Sequence, residues 1–147
     1  MHWFWKVIEL LATSFENFII IESLGKIFEY EYSGLKKSMS FFICFIASTG
    51  YVTFLNRIAV FEGWLSFITI IIFVIYSFIC LKGCIIKKAV MPAVFYTIIL
   101  FINLFVTFIF SFLLHISSED LMSTGNTIRL LTLFITKFMF FIVTRII

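Results

Sequence analysis

Residues 89–114 read AVMPAVFYTIILFINLFVTFIFSFLL. All 26 are uncharged, and as a helix they rise about 39 Å, more than the roughly 30 Å hydrocarbon core of a bilayer. A soluble domain has no core deep enough to hide such a rod, so the segment reads as a transmembrane helix. Four further apolar runs flank it, at about 3–21, 39–56, 63–81 and 127–147. The reading is therefore an all-α polytopic membrane helix bundle of about five transmembrane helices. Residues 1–147 form one transmembrane helical domain, with no soluble domain.

Composition agrees with lipid as the solvent. The chain of 147 residues is 63% hydrophobic and only 13% charged, and its mean hydropathy is +1.17. Soluble domains carry close to twice that share of charge. Phe and Ile dominate many runs and would favour strands in water. In lipid, however, an open strand leaves its backbone unpaired, and the runs lack the strict alternation of a barrel. Gly34, Gly63, Gly83 and Gly125 fall in or beside the proposed loops, and Pro92, the only proline, is expected in the first turn of span four. Ser117-Ser118-Glu119-Asp120 offers a helix cap with acid in its first turn, so a short surface helix is expected after span four. The N-terminus, Met1-His2-Trp3-Phe4-Trp5, has neither a basic region nor an Ala-x-Ala cleavage site, and is read as mature protein.

Lys and Arg set the orientation, because short cytoplasmic loops concentrate them. Lys26, Lys36 and Lys37 lie in the first loop, Lys82, Lys87 and Lys88 in the third, and Arg145 near the end of span five. All seven fall on one side. Arg57 and Arg129 lie on the other, near helix ends, and Lys6 is a further candidate for that side, with the acids Glu62, Glu119 and Asp120. The N-terminus is thus expected outside and the C-terminus inside, which puts Trp3, Trp5 and Trp64 at the outer interface, where indoles are favoured.

The polar residues within the spans are the candidate site. Lys6, Glu9, Thr13, Glu16 and Asn17 recur at helical spacing and stack into one stripe on span one. Charge facing lipid is costly, so the stripe either faces the bundle interior, where it packs or meets a ligand, or marks a helix lying flat in the headgroup layer. Span four carries Tyr96, Asn103, Thr107 and Ser111 on one face with His115 beyond. Span five carries Arg129, Thr132 and Thr136, with Lys137 on a neighbouring strip. Asn103 and Lys137 both fall near mid-membrane, so Lys137 is expected to pair with Glu9 or Glu16 in a polar core shared by spans one, four and five. An interhelical hydrogen bond is the simpler role for Asn103. Ser40, Cys44 and Ser48, four apart on span two, suit close helix packing. Glu62, His115, Glu119 and Asp120 complete the candidate ligand-facing set on the outer side.

Several chemistries are excluded. The net charge of +3 is dispersed and forms no nucleic-acid-binding stripe. No nucleotide-binding loop, HExxH helix or GxSxG elbow occurs. Cys44, Cys80 and Cys84 lack metal or redox spacing and read as small apolar filler. The expected topology also separates the cysteines from His2 and His115 by the membrane, against a thiol nucleophile or a metal site. No catalytic residue, metal or cofactor is expected.

The stretch Phe15-Glu16-Asn17-Phe18-Ile19-Ile20-Ile21, the loop with Gly34-Leu35-Lys36-Lys37, Phe61-Glu62-Gly63-Trp64, and Leu81-Lys82-Gly83 followed by Lys87-Lys88 resemble the N-terminal membrane region of AgrC-like sensor histidine kinases of the GHKL class, from low-GC Gram-positive bacteria. The resemblance extends over most of the chain. It implies a multi-pass module of the bacterial plasma membrane that binds an extracellular signal, a peptide or small molecule, and passes it through the last helix, with homodimerisation as a further expectation. The sequence departs from the family at Arg145-Ile146-Ile147, where it ends without a phosphoacceptor His or ATP-binding motif. It is expected to be either a fragment of a kinase or a stand-alone relative of its sensor. Two other readings use the same polar residues: a component of small-solute or ion transport, and a membrane assembly subunit without ligand.

Overall fold

A computed structural model describes residues 2–55, 62–115, 117 and 127–146, without the side chains of residues 2, 55 and 62–66. Among these residues are five α-helices: α1 (His2–Ile27), α2 (Leu35–Leu55), α3 (Glu62–Cys80), α4 (Ile85–Leu114) and α5 (Thr127–Ile146). Among the described residues there is no strand beyond one isolated antiparallel bridge, Tyr30 to Leu81. Over their described residues α4 and α5 are long and apolar enough to cross a membrane, with mean hydropathies of 2.5 and 1.7. Phe67–Cys80 of α3 is a shorter apolar stretch, and α1 carries the five charged residues Lys6, Glu9, Glu16, Glu22 and Lys26.

Three helices begin or end beyond the apolar runs that announce them. α1 continues to Ile27, α2 starts at Leu35 and α4 at Ile85. Each extension takes in lysines, whose long apolar stems are compatible with a helix even where hydropathy marks a loop. One consequence is a correction: Pro92 lies two turns inside α4, not in its first turn. It has no N–H to donate to the Lys88 carbonyl one turn earlier.

The chain divides into two compact units, Met1–Ala12 with Thr97–Ile147, and Thr13–Tyr96. In the first, the buried side chains are Trp5 on α1, Ile99, Ile102 and Val106 at helical spacing on α4, and Thr136 and Phe140 on α5. Trp5 is therefore an interior residue instead of the interfacial anchor expected of it, whereas Trp3 is exposed.

The second unit is inverted relative to a protein built for water. Its buried positions include Asn17, Ser23, Cys44, Ser48, Thr49, Thr69, Ser77 and Cys80, together with Ile, Leu and Phe. Its exposed positions include Met39, Phe42, Ile43, Ile46, Phe54, Phe67, Ile71, Ile75, Phe78 and Ile79. Small and weakly polar residues inside with large apolar ones outside is the arrangement that lipid permits, because small residues let helix backbones approach and hydroxyls bond within the bundle. Among the described residues α2 and α3 pack closely, backbone against backbone. Several hydroxyls turn back on their own helix: Ser48 donates to the Phe45 carbonyl at 3.2 Å and Thr53 to the Thr49 carbonyl at 2.7 Å.

The loop after α1 and the loop after α3 meet at one end of this unit. The amide of Glu31 donates to the Cys80 carbonyl at 2.9 Å and that of Lys82 to the Glu29 carbonyl at 2.6 Å. Glycine makes two close approaches possible here. A Cβ on Gly25 would collide with the ring and hydroxyl of Tyr30, and one on Gly83, whose φ is +140°, would lie 3.0 Å from the Phe28 ring.

Candidate functional site

Polar side chains are engaged separately in the two units. In the first, Glu9 sits one turn after the buried Trp5 on α1, and its carboxylate accepts from the Arg129 guanidinium at the start of α5. Both partners are partly buried, at 35% and 22% exposure, so the pair is neither free in water nor fully dry. Arg129 is the third residue of α5, and its long side chain spans the depth between a helix end and a carboxylate two turns into α1. Glu9 was one of the two carboxylates expected for Lys137. The arginine at the helix end takes it instead.

Two threonines of α5 bond within their own helix. Thr132 donates to the Arg129 carbonyl at 2.8 Å and Thr136 to the Thr132 carbonyl at 2.7 Å. Threonine in a helix does this readily when no outside partner is near. Lys137 is half-buried beside Thr136, and Asn103 is half-buried between Ile102 and Val106 of α4, in the same unit. His115 is exposed, with φ of 53°, and closes α4 as a left-handed C-terminal residue. Its ring lies 6.5 Å from that of Phe112. That role is conformational and needs no ligand.

In the second unit, Asn17 is buried and its side-chain amide donates to Thr49 Oγ1 of α2 at 3.2 Å. Glu16, next to it, is half-buried. The stripe on α1 is thus divided: Glu9 serves an ion pair in one unit and Asn17 an interhelical hydrogen bond in the other. Phe18 of α1 adds an edge-on ring contact to Phe41 of α2, at 5.6 Å between centroids. Glu119 and Asp120, and the short helix expected from them, lie outside the described residues, as do the side chains of Glu62 and Trp64.

A cavity of about 480 Å³ opens between α2 and α3, within the 300–1,000 Å³ usual for small-molecule sites. Ser40 and Cys44, expected to pack helices, face it, as do Tyr76 and Cys80 of α3. All three cysteines are free thiols; Cys44 and Cys80 are buried and Cys84 is exposed. Among the described residues no group of three or more His, Cys, Asp or Glu side chains is placed to hold a metal.

Sequence reasoning missed this cavity, the Glu9–Arg129 pair and Lys88. Lys88 is buried although it reads as a loop residue. Its spacing to Pro92 and Phe95, also buried, is that of one helix face, and extending span four by one turn would have revealed it.

No family model, curated protein or solved structure matches the chain.

Proposed function

We propose that the chain is the membrane-embedded input module of a bacterial signal-transduction system, with all five helices crossing the plasma membrane, N-terminus outside and C-terminus inside. The observation that carries this reading is the Glu9–Arg129 ion pair, which ties the first helix to the last. Both residues fall on the outer side by the lysine distribution, so an extracellular peptide or small molecule that competes for either charge changes what α5 is held by. Such a signal works only through unequal affinity for the paired and unpaired arrangements. The large apolar exteriors of α2 and α3 support their membrane embedding. The resemblance to AgrC-like input regions, carried by Phe15–Ile21 and the two lysine-rich loops, supports the sensing role. The chain itself is read as non-enzymatic.

The test places a single cysteine at Leu131, exposed on α5, in a chain whose own cysteines are replaced, and follows its maleimide reactivity in membranes. Glu9→Gln is expected to change the rate several-fold. The charge swap Glu9→Arg with Arg129→Glu is expected to restore it. Conditioned medium from the host bacterium should move the intact chain's rate towards that of Glu9→Gln. A rate indifferent to all three would overturn the proposal.

A further inference from the structure

We propose that the cavity between α2 and α3 is a binding site for an anionic phospholipid, its phosphate at Lys36 and an acyl chain along the groove. The proposal rests on the proposed membrane topology, with α2 and α3 in the bilayer and their lysine-rich end on the cytoplasmic side, and is independent of the sensing role of Glu9 and Arg129.

The shape of the cavity comes first. Its lining on α2 runs from Lys36 to Ala47, about 16 Å along a helix axis. On α3 it runs from Ile72 to Cys80, about 12 Å. It is therefore a groove elongated along the helices, the direction in which lipid chains run. Among the described residues Lys36 is its one charged lining residue and lies at one end; Met39, Ile43, Ile72 and Ile75 supply apolar wall beyond it. A ligand that complements this lining is long, apolar and anionic at one end.

Among the described residues no ion pair engages the charge at that end. The bridged loops and adjoining helix turns gather Lys26, Lys36, Lys37, Lys82, Lys87 and Lys88 against Glu22, Glu29 and Glu31. Lys26 is held by Glu22 at 3.0 Å, and the Lys37 ammonium lies 4.2 Å from the centre of the Tyr30 ring. Lys36 is exposed and faces the cavity. Basic pockets between helices on the cytoplasmic side bind anionic lipid headgroups, and that leaflet carries the anionic lipids.

A second polar group sits at a fitting depth. Tyr76 lines the groove one turn below Cys80, is 4% exposed, and its hydroxyl has no hydrogen-bond partner of ordinary geometry among the described residues. The Tyr30 side chain lies beside it. A buried hydroxyl left unpaired costs free energy. In a glycerophospholipid the ester carbonyls lie below the phosphate, where such a donor finds an acceptor.

The experiment uses the full chain in phosphatidylcholine nanodiscs doped with photoactivatable phosphatidylglycerol or, separately, photoactivatable phosphatidylcholine. Labelling of residues 36–47 and 72–80 is expected to favour phosphatidylglycerol about fivefold, the factor that one basic residue contributes at an anionic surface. Lys36→Glu should abolish the preference, Lys87→Glu should leave it, and Ile43→Trp, which fills the groove, should suppress labelling by both lipids. Equal labelling by the two lipids overturns the proposal. So does a preference that survives Lys36→Glu, or crosslinks showing a second copy of the chain in the groove.

Discussion

At the scale of single residues, the two polar contacts of α1 divide a stripe that looks continuous in sequence. Lys6, Glu9, Thr13, Glu16 and Asn17 were legible as one face because helical spacing is arithmetic. Which partner each takes was not legible, because partners depend on side-chain reach. Lys137 was chosen as the mate of Glu9 or Glu16 on depth along the helix, yet Arg129, with a longer side chain at the end of the same helix, takes Glu9. Asn17 found a hydroxyl, Thr49, on a helix where only small-residue spacing had been noticed. A double-mutant cycle between Asn17→Leu and Thr49→Val, measured by steric trapping in bicelles, is expected to give a coupling of roughly 0.5–1.5 kcal/mol, the range of interhelical hydrogen bonds in membranes. Zero coupling would mean that each side chain serves only to fill space.

Helix cores were readable from hydropathy and helix ends were not. Apolar runs identify the apolar part of a helix, whereas α1, α2 and α4 continue through lysine-bearing turns that hydropathy scores as loop. What stops them is tertiary. The clearest case is the end of α1, where Gly25 leaves room for the Tyr30 ring to lie against the helix, and Tyr30 in turn bridges to Leu81. Gly25→Ala alone gains helix propensity of up to about 1 kcal/mol but displaces that ring, and with it the Lys37 contact. The net expectation is a loss of about 1 kcal/mol. In a Tyr30→Ala background the same substitution should become stabilising. Thermal denaturation in detergent reads the change of sign, and destabilisation in both backgrounds would show that the ring is not the obstacle.

For the molecule as a whole, a helical architecture followed from 63% apolar composition, and the orientation rests on lysines. The backbone adds a link to that argument: the first and third loops, whose lysines were counted separately, are hydrogen-bonded to each other and so lie at the same end of the second unit. Cys84 is exposed within the third loop. A membrane-impermeant maleimide is expected to leave it unlabelled in intact cells and to label it after permeabilisation; labelling in intact cells would reverse the orientation. The inverted interior of the second unit has one more consequence. With α2 and α3 in the bilayer, as proposed, separating them exchanges one apolar neighbour for another and uncovers little surface to water. The heat-capacity change that curves the stability of a soluble protein, and makes it fail on cooling as well as on heating, is then nearly absent. This helix pair should weaken steadily with temperature and have no cold limit.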